Sequence, residues 1–203
     1  MIEPLDTRFA GLERERAATE AQLAALTPVQ TAFRAHEAAW NVAEVVDHVV
    51  RVERQVLEGA RKPNVQRTAW RRRRFRRLLA WLVFAMGVRI RVPERVKLVT
   101  PERDADLETA LARWSAVRTE WRDFLSTITP DQLDLLAIKH PLAGPFTYRD
   151  VLKFLEWHLR HHRKQIGRIT RTAAAAPGAQ PDTVPGARAG HSQDPDEETR
   201  RSP

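Results

Sequence analysis

Four segments of this 203-residue chain carry apolar residues at intervals of three and four, which is the spacing of one face of an α-helix. Between Pro4 and Thr172 no convincing stretch shows the alternation of a half-buried strand. Amphipathic helices of this length can bury their apolar faces only against one another. The sequence therefore predicts an all-α protein that folds as a four-helix bundle over residues 1–172.

Capping residues and prolines set the expected bounds of the first two helices. The first runs from about Asp6 to Leu26, because Thr27-Pro28 follows and proline disfavours helical geometry in the residue before it. The second begins after Asn41, with Glu44 three residues later to complete a capping box. Its apolar face is a row of valines: Val42, Val45, Val49, Val52 and Val56.

The third and fourth helices have similar start signals. The third is expected to open near Thr100-Pro101, a capping residue followed by proline in the first helical turn. The fourth is expected to open at Thr147, with Asp150 completing a second capping box. The apolar residues that the fourth helix turns inward are Val151, Leu155, Leu159, Ile166 and Ile169.

The composition is typical of a soluble globular domain, with 42% hydrophobic residues and no cysteine. Without cysteine the chain can form neither a disulfide nor a thiolate metal site. The first residues, from Met1 to Asp6, lack the basic and apolar regions of a signal peptide, so a cytoplasmic location is expected.

The net charge of +8 comes from one part of the chain. Nine basic residues and no acidic residue lie between Arg61 and Arg77, and the body outside this segment is nearly neutral. Residues 173–203 hold three arginines against five acids, with five prolines and no aromatic residue. Such a composition cannot bury enough apolar surface to fold, and we predict a disordered tail over these residues.

The basic segment leads into eleven apolar residues, Leu78 to Val88, far fewer than the roughly 20 needed to cross a bilayer. We favour a short extra helix within residues 61–100, inserted between the second and third bundle helices. One alternative is that the stretch from Arg71 to Val88 lies against an anionic membrane surface. Another is that its arginines bind nucleic acid nonspecifically. No base-reading motif accompanies them, so no specific nucleic-acid partner is predicted.

Two histidines occupy the apolar face of the fourth helix, where leucine would be expected. With Val151 set at zero and about 100° per residue, His158 falls near −20° and His162 near 20°. Histidines four residues apart on one helical face can bind a single metal ion, and a third ligand from a neighbouring helix would complete the site. The alternative is that each buried ring has its own polar partner.

Three segments, taken together and in this order, resemble the DinB/YfiT-like metalloproteins, a family unrelated in fold to the DNA polymerase of similar name. They are residues 40–48 (WNVAEVVDH), residues 140–147 (HPLAGPFT), and His158 followed by residues 162–166 (HRKQI). The resemblance covers about residues 5 to 171. The chain departs from the family pattern at Lys164, where many members have glycine. It also departs in the stretch after Gly59, which is longer and more basic than in simple members.

The resemblance implies a four-helix bundle with a divalent metal ion, typically zinc or nickel, held by His48, His158 and His162. Relatives include thiol-dependent S-transferases and isomerases, so the resemblance also implies a low-molecular-weight thiol as cosubstrate. It further implies that the protein is a homodimer. We therefore expect a metal-dependent transferase or hydrolase that acts on a small molecule. The alternative is a non-catalytic bundle that acts through a partner or a membrane surface by way of residues 71–88.

Three further side chains are candidates for roles around the metal. Glu44 lies one turn before His48, and Gln165 shares a face with His162, so either can orient a ligand imidazole. For Glu44 we favour the capping role. Arg118 lies on the apolar face of the third helix, where it either pairs with a substrate carboxylate or extends its guanidinium to water. The remaining histidines are expected away from the metal: His140 and His161 at the periphery, His36 and His191 on the surface.

Overall fold

The computed structural model describes residues 1–62, 98–140 and 144–176. They form the predicted bundle from four long helices, joined by one short α-helix, a 3₁₀ helix (Pro130–Gln132) and a two-stranded antiparallel sheet. The elements are α1 (Glu3–Ala24), α2 (Pro28–Ala32), α3 (Val42–Arg61), α4 (Leu107–Ser126), β1 (Leu136–His140), β2 (Gly144–Thr147) and α5 (Tyr148–Ala175). The extra helix predicted within residues 61–100, including the stretch from Arg71 to Val88, lies outside the described residues.

The four long helices pack in the cyclic order α1, α5, α3, α4. Helix α5 packs against both α1 and α3, and α3 also packs against α4. The ring closes between α1 and α4, where Arg16 donates to the hydroxyl of Ser115 at 2.7 Å. Helices α3 and α5 run antiparallel: the start of α5 lies beside the end of α3, where Tyr148 donates to the carbonyl of Ala60. The apolar faces predicted from the sequence meet in one core.

The first helix ends before Thr27-Pro28 as predicted, and a short helix that was not predicted follows it. Helix α1 ends at Ala24, and Thr27 caps a separate short helix, α2, instead of only ending the first. The hydroxyl of Thr27 accepts the amide N–H of Gln30 at 3.2 Å, and the Gln30 side chain accepts the amide N–H of Thr27 at 3.0 Å. Pro28 occupies the first turn of α2, where a missing N–H costs nothing.

The predicted start of the third helix near Thr100-Pro101 is wrong. Helix α4 begins at Leu107, where the Asp106 carboxylate accepts the amide N–H of Thr109 at 2.7 Å. The residues before it do not continue a helix, because Asp104 has a left-handed backbone with φ of 56°. Their amide groups donate to side chains of α3 instead of forming a helical turn.

Helix α5 begins after Thr147 as predicted, but the second capping box is absent. The Thr147 hydroxyl donates to the Asp150 carboxylate at 3.3 Å and makes no capping bond to the backbone. The helix continues to Ala175, three residues into the segment that we assigned to the tail. Residues 177–203 lie outside the described residues, and their predicted disorder stays a prediction.

The hairpin of β1 and β2 was not predicted. An irregularity in the pairing between Leu136 and Ile138 turns both Leu136 and Ala137 inward, which removes the alternation that marks a strand. The hairpin packs on α3 and α5. Gly59 permits the close approach of α3, because a Cβ atom there would lie 3.1 Å from the Cγ2 atom of Ile138.

Within the described ranges, none of the helices combines the length and apolar character that crossing a bilayer requires.

Candidate metal centre

Helices α3 and α5 bring His48, His158 and His162 together in the interior of the bundle. One ring nitrogen from each lies within 4.8 Å of the others. The ring centroids are 4.4 Å apart for His158 and His162, and 4.7 and 5.3 Å from His48 to His162 and His158. Each side chain is 7% exposed. We call these three residues the triad.

The spacing of two of the triad nitrogens suits a shared cation. The Nε2 atoms of His158 and His162 are 3.1 Å apart. Zinc–nitrogen bonds of about 2.0–2.1 Å separate two ligand nitrogens by about 2.8–3.4 Å, for bond angles between a right angle and the tetrahedral angle. The distance between this pair of nitrogens is therefore that of two ligands of one ion of this size.

Hydrogen bonds on the far side of two rings fix which nitrogen is available. The Nδ1 atom of His162 donates to the amide oxygen of Gln165 at 2.8 Å, and the Nδ1 atom of His48 donates to the backbone carbonyl of Val99 at 2.6 Å. A carbonyl oxygen only accepts, so both Nδ1 atoms carry the proton. The Nε2 atoms therefore keep a lone pair, as a metal ligand requires.

Burial sets the protonation state of the triad. It lowers the pKa of His48 below the ordinary value for histidine, and it lowers the pKa of His158 and His162 well below that value. The proximity of the rings adds to the effect for the last two, because a proton on one would repel a proton on the next. All three imidazoles are neutral at neutral pH, which is the form that binds a metal ion.

The structure separates the two candidates for orienting a ligand. Gln165 contacts His162 as expected. The contacts of Glu44 are those of a cap: its carboxylate accepts the amide N–H of Asn41 at 3.0 Å and pairs with Arg34 at 2.7 Å. The capping role of Glu44 is confirmed. The group behind His48 is instead the carbonyl of Val99, which no side-chain motif in the sequence could have indicated.

The segment that carries Val99 is attached to α3 by two buried carboxylates. Asp47 accepts the amide N–H of Glu102 at 2.8 Å, and Glu44 accepts the amide N–H of Asp104 at 3.0 Å. Both acids are 1% exposed. We call residues 98–104 the clip, because these bonds hold it against α3 beside His48.

Arg118 lies inside the bundle, 2% exposed, and its guanidinium is occupied by acidic side chains. It donates twice to Glu53 at 2.7 Å and once to Glu13 at 2.8 Å. The prediction that it extends to water is wrong, because α3 supplies a buried carboxylate that satisfies the charge internally. The pairing of Arg118 with a substrate carboxylate, the other sequence-based possibility, stays a prediction.

The other histidines lie outside the triad. His161 is half-buried with its ring 5.0 Å from that of His162. His140 lies at the end of β1, with its ring 5.0 Å from that of Phe154, and burial lowers its pKa to about 4. His36 is exposed, as predicted. His191 lies outside the described residues.

A cavity of about 420 Å³ lies beside the triad, between the second half of α3, strand β1 and the start of α5. Val99 and Phe154 are part of its wall. Val99 also bonds to His48, and the Phe154 ring stacks against that of His158 at 6.0 Å. The triad histidines do not themselves line the cavity, but they adjoin two residues that do.

Comparison with known proteins agrees with this architecture. A model of the DinB superfamily matches residues 11–166. Among solved structures, the chain is similar to YfiT from Bacillus subtilis, with 19% identity, a TM-score of 0.55, and coverage of 83% of this chain and 86% of that one. YfiT is described as a probable metal-dependent hydrolase with an unusual four-helix bundle topology. At this identity the likeness shows the fold. The comparison with curated proteins found no match.

Proposed function

The chain belongs to the DinB superfamily, and on that basis we propose that it is a divalent-metal-dependent enzyme that acts on a small molecule, either as a hydrolase or as a thiol S-transferase. The observation that carries the proposal is the triad: three buried, neutral imidazoles with their nitrogens within 4.8 Å of one another. Each ring offers a nitrogen to the same point in the bundle, and one cation could bind all three.

His48, His158 and His162 would hold the ion, with zinc or nickel as the proposed metals. An ion with three protein ligands and an open position supplies Lewis acidity, and it lowers the pKa of a water or thiol group bound there. Gln165 and the Val99 carbonyl hold two of the rings in the ligating tautomer. The rings of Trp40 and Phe154 lie against the triad, at 4.9 Å from His48 and 6.0 Å from His158.

Hydrolysis is supported by the description of YfiT, and thiol transfer by the sequence resemblance. In the thiol reaction the sulfur would come from a low-molecular-weight cosubstrate, since the chain has no cysteine. A cytoplasmic location and a homodimer belong to the same proposal. The non-catalytic alternative depends on residues 71–88 and stays a prediction.

Metal analysis tests the proposal, with protein purified without a nickel column. We expect about one divalent ion per chain, which is lost in His158→Ala and in His162→Ala. His161→Ala is the matched control, because it removes an adjacent imidazole outside the triad, and it should retain the metal. Retention of the full metal content in both triad variants would overturn the ligand assignment.

Turnover separates the two reaction classes. The metal-loaded protein is assayed with a panel of esters and amides, and separately with small thiols plus electrophiles. We expect activity in one of the two panels, its loss on chelation, and its return when the metal is restored. Activity that is unchanged after complete chelation would contradict a metal-dependent enzyme.

A further inference from the structure

The cavity beside the triad has a mostly apolar wall. Val52 and Val56 contribute to it from α3, Ile138 from β1, and Phe154 from α5. Its volume of about 420 Å³ lies in the range of sites that enclose small organic ligands. An apolar wall of this size favours a ligand with a hydrocarbon body, because burial releases water from both surfaces.

The cavity lies about one helical turn from the triad. Val52 follows His48 by one turn on α3, and Phe154 precedes His158 by one turn on α5. Because the two helices run antiparallel, both steps lead in the same direction, toward the hairpin. A molecule that occupies the cavity therefore has one end close to the three imidazoles.

In the described part of the cavity wall the charged residues are of one sign. Lys62 caps the end of α3 and Lys139 lies on β1, and both are exposed. Among the described residues that line the cavity there is no aspartate or glutamate. Two ammonium groups at the margin of an apolar cavity favour an anionic group at that position.

We propose that this cavity binds the substrate, and that the substrate is a small molecule with an apolar body and an anionic group that pairs with Lys62 and Lys139. The inference rests on the proposed function, because it takes the reacting end of this molecule to lie at the triad. It adds a substrate class and two residues that select for it.

The test uses a matched pair of probes, octanoate and 1-octanol, which share an apolar chain and differ in the anionic group. Each is titrated into the full-length protein and followed by amide chemical shifts. We expect octanoate to bind more tightly than 1-octanol, with the largest shifts at Gln55, Gly59, Ile138 and Lys139. Equal affinities, or shifts confined to other parts of the protein, would overturn the proposal.

Two variants in the cavity and one control variant outside it locate the interactions. The double variant Lys62→Gln with Lys139→Gln should weaken octanoate binding by about threefold or more and leave 1-octanol binding unchanged. Lys164→Gln removes an exposed lysine of α5 outside the cavity and should change neither. Gln55→Trp places a large side chain in the cavity and should weaken both probes. If the double lysine variant binds octanoate like the wild type, the selecting role of the lysines is wrong.

The titrations are done on metal-free and metal-loaded protein, so that this inference and the proposed function can fail separately. Octanoate binding in the cavity of a protein that takes up no metal would leave the cavity assignment standing and remove the metal enzyme. If the protein binds one metal ion per chain but no octanoate, the cavity assignment is wrong and the proposed metal enzyme is not affected.

Discussion

Two of the triad histidines are held by an oxygen atom behind the ring, and neither oxygen belongs to an acid. Gln165 serves His162, and the Val99 carbonyl serves His48. A neutral acceptor fixes the tautomer of the ring without adding a negative charge next to the metal site. Such outer groups commonly contribute about 10–100-fold to metal affinity.

Gln165→Ala should therefore weaken metal binding by about 10–100-fold, because the His162 ring loses the acceptor that fixes its orientation. The measurement is competition with a chelator of known affinity. Lys164→Ala, at the neighbouring exposed position, is the control and should bind like the wild type. An unchanged affinity in Gln165→Ala would show that the amide does not orient the ring.

His140 should make stability depend on pH. Its pKa is about 4 in the folded protein, against an ordinary value near 6.5. Below pH 6.5 the unfolded chain takes up a proton that the folded protein refuses, so stability falls as the pH falls toward 4. Each pH unit in this window costs about 1.4 kcal/mol for one such group.

His140→Leu should reduce this acid sensitivity by about 1.4 kcal/mol per pH unit between pH 6 and about 4, relative to the wild type in the same metal state. Urea unfolding at several pH values measures the slope. The triad histidines add their own dependence in both proteins, and most of it cancels, since burial lowers the pKa of His158 most and the charge of His140 least. Identical slopes would contradict the low pKa.

The clip, residues 98–104, is an irregular element whose position is fixed by α3 and not by its own structure. Its amide groups at Glu102 and Asp104 donate to Asp47 and Glu44. The sequence places these acids on the first turns of α3, where both are buried. Their hydrogen bonds to the clip act on the site through the Val99 carbonyl, and the charge of Asp47 also opposes the lowering of the His48 pKa by burial.

Asp47→Ala should release one end of the clip. The amide of Glu102 should then exchange with solvent roughly fivefold faster, as expected for the loss of one hydrogen bond of about 1 kcal/mol. Metal affinity should fall as well, because Val99 is held less firmly behind His48. Hydrogen exchange followed by NMR measures the first effect. Glu58→Ala, an exposed acid on the same helix, should change neither property.

At the scale of the whole molecule, one buried ion-pair network joins three of the four bundle helices. Arg118 of α4 pairs with Glu53 of α3 and Glu13 of α1. Its guanidinium also lies 5.5 Å from the ring of Trp114. An arginine that is buried this completely requires its partners, because an uncompensated charge in the interior is strongly destabilising.

Arg118→Met should lower the free energy of unfolding by about 3–5 kcal/mol, because it leaves Glu53 buried without a cation. The double variant Arg118→Met with Glu53→Leu should recover most of the loss, since it removes both charges. Urea unfolding measures both. A loss below about 1 kcal/mol in the single variant would show that the network adds little to the packing of the helices.

Much of the fold follows from local patterns. The valine row of α3 and the start of that helix at Asn41 were predicted because a cap and a helical period are properties of neighbouring residues. The start of α4 could not be predicted in this way. Thr100-Pro101 has the right residues for a helix start, but the amide groups that follow are bound by side chains from another helix.

The sequence by itself determined that His158 and His162 share one face of a helix, because a spacing of four residues fixes their direction once the helix forms. Only the tertiary structure decided which groups from distant parts of the chain contact the buried polar side chains. The carbonyl behind His48 comes from 51 positions further along the chain, and the carboxylate that satisfies Arg118 from a residue 65 positions away. Contacts of this kind depend on how helices pack, and no period in the sequence encodes them.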